Sequence, residues 1–204
     1  MDHQIATLIL AGGRSSRMGQ DKAELKLGGR SVLENILETV LQVSGHVVVM
    51  RAPNQQTLSI SSHLVKKMKI GFDQIEGEGP LQGIADSLIH IPEEAERIFV
   101  LTCDLPFLST HWLHALNDSL TEEWDVVCTH AENITNALLA IYRPQVLKKA
   151  PELLLEGKRR PLELLRGWRI KKLCPDHDLT LEIKDMNTPS EYEKAQHHFK
   201  ENHD

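Results

Sequence analysis

The sequence lacks most of the features that would fix a function class at once. In its 204 residues no apolar run approaches the roughly 18–20 residues that cross a bilayer, because Asp, Glu, Lys or Arg breaks each long one. A membrane-spanning role is excluded. The start, Met1-Asp2-His3-Gln4, has no basic stretch, and the apolar residues 5–11 lead into a Gly-Gly turn, not a small-residue cleavage site. The expected location is the cytoplasm. Positive charge is also in deficit, 23 Lys and Arg against 29 Asp and Glu, a net −6, which excludes a strongly basic binder of nucleic acid. Only three cysteines occur, Cys103, Cys128 and Cys174, with no CxxC spacing, so reduced thiols are expected. His111 and His114 have a helical i, i+3 spacing but no third ligand in view, which favours surface histidines over a metal site. There is no internal repeat, low-complexity tract or linker, and the expectation is one domain over 1–204 with a polar tail, 197–204, that frays.

What is present is an ordinary globular composition, 41% hydrophobic and 25% charged. Strand-length apolar runs at 5–10, 47–50, 68–72, 98–102, 126–128 and 138–142 alternate with helical patterns. That alternation predicts an α/β domain with a largely parallel sheet. A first helix is expected from Ser31, with Glu34 completing a capping box and Gly45 ending it. A second opens at Pro80 and places Leu81, Ile84, Ala85, Leu88 and Ile89 on its buried side. Further helices fit 110–120, 144–155 with a break at Pro151, 161–167 and 190–200. Open parallel sheets bind ligands beyond the carboxyl ends of their strands, which directs attention to the segments after Leu10, Phe72 and Thr102.

The strongest local signal follows the first strand: Leu10-Ala-Gly-Gly-Arg14-Ser-Ser-Arg17-Met-Gly-Gln-Asp21-Lys22. Adjacent glycines let backbone N–H groups approach an anion, and Arg14, Arg17 and Lys22 supply cations for a triphosphate. In a net acidic chain this concentration of positive charge favours a phosphate cradle over a solvated loop. It is neither a Walker A loop nor a GxGxxG fingerprint. Gly77-Glu-Gly79-Pro-Leu-Gln-Gly83 approximates that fingerprint loosely, and reads equally as a tight entry to the Pro80 helix.

Five ordered motifs carry a family resemblance that runs nearly end to end. They are Leu10-Ala-Gly-Gly…Arg17-Met-Gly…Asp21-Lys22, Gly79-Pro-Leu-Gln-Gly83, Thr102-Cys-Asp-Leu-Pro106, Gly157-Lys-Arg-Arg160 and Asp185-Met-Asn-Thr-Pro189. The chain resembles the molybdenum cofactor guanylyltransferases, the MobA group of nucleotidyltransferases. The resemblance implies an α/β, three-layer Rossmann-like nucleotidyltransferase fold with a central, mostly parallel sheet. It also implies GTP as donor, since the double glycine accompanies GTP where cytidylyltransferase relatives carry Ala-Ala-Gly.

Matched position by position, the resemblance implies that Leu10, Gly12 and Gly13 lie beside the base and phosphates and that Lys22 meets the triphosphate; Arg17 is added on charge grounds. Asp73 matches an acidic residue near the nucleoside, with Gly79 and Gly83 shaping the same wall. Asp104 matches the Mg²⁺-binding carboxylate, and Asn187 a position near the metal and the transferring phosphate. Asp185 stands where the family commonly has Asn, and is either a second metal carboxylate or a structural cap. Lys158, Arg159 and Arg160 match a basic turn suited to the acceptor's phosphate, although cations are also favourable at a helix end. Asn136-Ala137 departs from the family's polar-Pro pattern at the pterin pocket.

The implied reaction is attack by the terminal phosphate of molybdopterin, or of its molybdenum-loaded form, on the α-phosphorus of GTP, with pyrophosphate released. A phosphate monoester has a second pKa of about 6, so no general base is required. Implied partners are apo-molybdoenzymes and the molybdenum-insertion protein. The alternatives are a molybdopterin cytidylyltransferase, a guanylyltransferase for another phosphorylated cofactor, and a nucleotide-binding adaptor that delivers cofactor without turnover.

Overall fold

The alternation of strands and helices expected from the sequence is realised in the computed structural model, which describes residues 2–12, 21–55, 58–75, 77–176 and 179–201. In chain order the elements are β1 (Asp2–Leu10), β2 (Lys26–Leu27), β3 (Arg30–Ser31), α1 (Val32–Val40), β4 (Ser44–Arg51), α2 (Ser62–Val65), β5 (Lys69–Phe72) and α3 (Pro80–Ser87). They continue with β6 (Arg97–Thr102), α4 (Thr110–Ser119), β7 (Val126–Ala131), β8 (Ile134–Tyr142), α5 (Pro144–Leu147), α6 (Ala150–Leu155), β9 (Ile170–Leu173) and α7 (Pro189–Glu201). Seven strands form one sheet in the order β5-β4-β1-β6-β8-β7-β9, and β2 pairs with β3 in a separate small hairpin. Within the sheet β8 runs antiparallel to both neighbours and the other pairings are parallel.

The central strands have two buried faces, and their side chains divide between two apolar layers. Ile5, Ile9, Val47, Val49, Phe99 and Leu101 pack with α1, α4 and Ala195 of α7. Ala6, Leu8, Val48, Met50, Ile98 and Val100 point the other way and pack with Leu81 and Ile84 of α3, Val146 and Leu147 of α5 and Ala150 of α6. Period-2 alternation in a strand covered on both sides therefore fixes a three-layer arrangement.

The Ser31 capping box is present. Ser31 Oγ accepts from the Glu34 N–H at 3.1 Å, and Glu34 Oε2 accepts from the Ser31 N–H at 2.9 Å. Glu34 also accepts from the backbone and hydroxyl of Ser61, tying α1 to the start of α2. Burial alone would raise its pKa, but these hydrogen bonds outweigh that and hold it at about 2.

Several local expectations change. Gly45 does not end the first helix, which stops at Val40; it lies within β4, where a Cβ would sit 2.8 Å from the His3 Cα. Close backbone approach, not helix termination, requires glycine there. Ile89 is 81% exposed, because α3 ends at Ser87 and tightens into a 3-10 turn that rotates it off the buried face. The break within 144–155 falls at Lys148–Lys149, so Pro151 sits in the first turn of α6, where its missing N–H costs nothing. Helix α7 continues through His197 to Glu201, and Phe199 stacks on Phe107 with ring centroids 5.8 Å apart.

Candidate active site

The sheet order places a topological switch at β1, where one crossover leaves through α1 to β4 and a later one returns through α3 to β6. Leu10 is in register with Met50 on one side and Thr102 on the other, so three strand ends finish level at the carboxyl edge. A crevice outside such a switch is where doubly wound sheets bind nucleotides. The sequence candidates Leu10, Gly12, Lys22, Asp73, Gly79, Gly83, Asp104 and Asn187 all lie in or directly after elements ending at this edge, or opposite them. Gly13 and Arg17 lie outside the described residues.

Two groups can be distinguished. In the first, Lys22 Nζ donates to Asn187 Oδ1 at 2.5 Å and lies 3.5 Å from Asp104 Oδ2. Asp104 Oδ1 accepts from the Thr102 hydroxyl at 2.5 Å, and the Asp104 carbonyl accepts from the Met186 N–H at 2.8 Å. Asn187 is thus brought to Lys22 by backbone pairing between the loop after β6 and the segment before α7. Asp185 Oδ2 accepts from Asn187 Nδ2 at 2.6 Å, orienting the amide so that its oxygen faces Lys22. Glu191 accepts from the Asn187 and Thr188 N–H groups at 2.8 Å, fixing the same turn.

The second group surrounds Asp73, which follows β5. Gly83 faces it: a Cβ there would lie 3.1 Å from both Asp73 Oδ1 and Leu10 Cδ2. Gly12 passes so close to β4 that a Cβ would stand 2.5 Å from the Ala52 nitrogen. Asp73 Oδ1 is buried with no hydrogen-bond partner among the described residues. Burial, with the Asp86 carboxylate adding repulsion, raises its pKa to about 6. Asp86 itself is engaged, accepting from the Gln74 N–H at 2.8 Å and from the Gln82 amide at 3.0 Å.

The basic turn lies beside the Asp73 group. Gly79, at φ 86°, is the N-cap of α3, and a Cβ on it would point toward the Arg159 carbonyl at 3.6 Å. Arg159 pairs with Glu78 and also donates to the carbonyls of Leu154 and Lys158. Its guanidinium therefore links the turn after α6 to the loop before α3. Lys158 and Arg160 form no ion pair among the described residues.

Sequence reasoning passed over Arg51 and Gln55, and read Thr102 only as a strand end and the start of a motif. The one signal for Arg51 was a charge ending the apolar strand Val47-Val-Val-Met-Arg51, a position that costs too much for a cation without partners. Cys103 lies between Thr102 and Asp104, where burial and the nearby Asp104 and Asp21 carboxylates push its thiol up to about 12 and disfavour the thiolate.

Asp104, Asp185 and Asn187 offer only oxygen donors, the set that suits a hard divalent cation. The Lys22 ammonium lies between the Asp104 and Asn187 oxygens, so this position already accepts positive charge. No group of three or more His, Cys, Asp or Glu able to hold a metal occurs among the described residues. An ion completed by phosphate oxygens and water needs only one or two protein carboxylates.

A glycine-lined crevice at a parallel-sheet switch point, with a lysine among carboxylate and amide oxygens, suits a nucleotide, and the family match places the chain among the nucleotidyltransferases. The chain belongs to the MobA-like NTP transferase family, whose domain it matches over residues 7–172. It is 30% identical over 203 residues to a probable molybdenum cofactor guanylyltransferase of Bacillus cereus, covering 94% of this chain and 95% of that one. A protein of the same description from Bacillus cytotoxicus is 29% identical over 192 residues, covering 92% and 94%. Among solved structures, molybdopterin-guanine dinucleotide biosynthesis protein A from Archaeoglobus fulgidus superposes with a TM-score of 0.77 at 22% identity, covering 96% of this chain and 99% of that one, a likeness of fold. No helix among the described residues is long and apolar enough to cross a membrane.

Proposed function

We propose that this chain is a molybdenum cofactor guanylyltransferase, one catalytic unit acting in the cytoplasm, which transfers GMP from GTP to the terminal phosphate of molybdopterin or its molybdenum-loaded form. A new P–O bond forms to the α-phosphorus, the bond to the β-phosphate breaks, and pyrophosphate leaves. The observation that carries the reading is the Lys22–Asp104–Asn187 cluster at the sheet's switch point, in a chain of this family. The same relationship makes apo-molybdoenzymes and the molybdenum-insertion protein the recipients of the product.

The nucleophile is already ionised at neutral pH, so the protein's task is to bring two anions together and offset their repulsion. Lys22 exchanges its contacts with Asp104 and Asn187 for triphosphate oxygens. Asp104 and Asn187, with Asp185 holding the amide, would bind Mg²⁺, which when present neutralises phosphate charge. On the other side Leu10, Gly12, Gly79 and Gly83 form the wall against which the nucleoside lies, and Asp73 offers its unpartnered oxygen to a base or ribose donor. Lys158, Arg159 and Arg160 would meet the acceptor's phosphate; Gly13, by the family resemblance, and Arg17, by its charge, are assigned to the nucleotide.

The test is equilibrium binding of GTP, CTP, ATP and UTP with and without Mg²⁺, followed by pyrophosphate release with molybdopterin. Preference for GTP, strengthened by Mg²⁺, together with turnover is expected. Preference for CTP would reassign the donor, and GTP binding without pyrophosphate release would make the chain a delivery adaptor.

A further inference from the structure

Arg51, the last residue of β4, is 1% exposed, and a guanidinium in that setting must be both paired and hydrogen bonded. Its Nη1 donates to the Ala11 carbonyl at 3.0 Å, its Nη2 meets Asp21 Oδ2 at 2.7 Å, and its Nε donates to the Gln55 carbonyl at 3.2 Å. Gln55 reinforces the arrangement by donating to the same Asp21 oxygen at 3.3 Å. The other Asp21 oxygen accepts from the Ala23 N–H at 3.1 Å and so caps the 3-10 turn Lys22–Glu24. Ala11 and Asp21 are each followed by a nucleotide-site candidate, Gly12 and Lys22. One planar fork therefore fixes both. The same residue reaches the base side, because the Arg51 carbonyl accepts from the Asp73 N–H at 2.9 Å and its backbone packs under Gly12.

An apolar side chain would serve a strand end that only had to pack. A fully buried cation whose donors go to the two sequence neighbours of Gly12 and Lys22 answers a different need. We infer that Arg51 is a positioning residue for nucleotide binding, which sets where the Lys22 ammonium stands relative to Gly12 and neutralises Asp21 so that this carboxylate does not oppose an incoming triphosphate. The ligand named in the test rests on the nucleotidyl-transfer reading; the anchoring of Ala11 and Asp21 does not. Lysine cannot replace the fork, since a single ammonium cannot hold two acceptors in fixed directions.

The experiment compares the wild-type protein with Arg51→Met and Arg51→Lys. The readouts are the Kd for GTP with Mg²⁺, KM and kcat, thermal unfolding, and amide hydrogen exchange without ligand. Arg51→Met is expected to raise Kd and KM about tenfold or more with kcat at saturation changed by less than about threefold. Arg51→Lys, which keeps the charge and folds where the Met variant does not, is expected to raise Kd about fivefold. In both, the Ala11 and Ala23 amides should exchange faster while Val100 in β6 keeps its protection. Wild-type affinity in the folded Lys variant, or unchanged protection at Ala11 and Ala23, overturns the inference. A wild-type protein that binds no nucleoside triphosphate would instead overturn the functional reading, and the exchange data would still decide the role of Arg51.

Discussion

The two sides of the site differ in how their polar groups are satisfied before any ligand arrives. Around Lys22 the described groups already hold one another: Asp104 takes the Thr102 hydroxyl and faces the ammonium, and Asn187 is shared between Lys22 and Asp185. Around Asp73 an oxygen is buried without a donor among the described residues, and residue 83 approaches it so closely that a Cβ there would lie 3.1 Å away. A ligand on the first side must displace internal contacts, which suits a highly charged triphosphate able to repay them. On the second it supplies a missing contact, where a wrong hydrogen-bonding edge is rejected because the buried acceptor stays unsatisfied.

The largest effect that would break this comparison is expected from Asp104→Ala. Loss of the carboxylate removes the oxygen opposite Lys22 and should lower kcat about a thousandfold or more while GTP still binds weakly. Full turnover at saturating Mg²⁺ would show that Asp104 takes no part in metal binding. Next comes Gly83→Ala, which puts a methyl 3.1 Å from Asp73 Oδ1 and Leu10 Cδ2. Because alanine is also the better helix former, by about 0.5–1 kcal/mol, thermal stability should hold while the Kd for GTP rises about tenfold. Unchanged affinity would place the base elsewhere.

The smallest effect concerns Asp73 alone. Its folded-state pKa of about 6 lies above the ordinary 3.8, so the folded chain binds the proton more tightly than the unfolded one between those values. Stability is therefore lost as pH rises from about 4 through 6. Asp73→Asn should be more stable than the wild type at pH near 7.5 by about 1–2 kcal/mol, and the gap should close near pH 4, as read from denaturant unfolding at the two pH values. A gap independent of pH would mean that Asp73 is solvated.

Most of the sheet was legible because its strands are continuous apolar runs between helix signals, and the capping box was readable from Ser31 and Glu34 alone. The small hairpin β2–β3 and the edge strand β9 were not. Each β2–β3 strand has two residues, and Ile170-Lys-Lys-Leu173 carries too little apolar character to announce a strand; pairing with β7 makes it one. The site divides similarly. Residues within ordered motifs could be named, and the resemblance supplied their roles. Arg51 could not be, since its meaning lies in a carbonyl and a carboxylate that only the folded chain brings to it. Nor did the sequence tell that Asp185 would spend an oxygen on Asn187, or that Arg159 would be held by Glu78.

The hydrogen bond between Lys22 and Asn187 spans 165 positions. On the ribosome, the loop that carries Lys22 emerges among the first segments, whereas its amide partner follows only after nearly all of the sheet has been made. For most of its synthesis the nascent chain can form strands, helices and an apolar interior while its charged centre stays unfinished. Acquisition of structure and acquisition of activity are then separate events in time, the second waiting on the late docking of α7 and the turn before it.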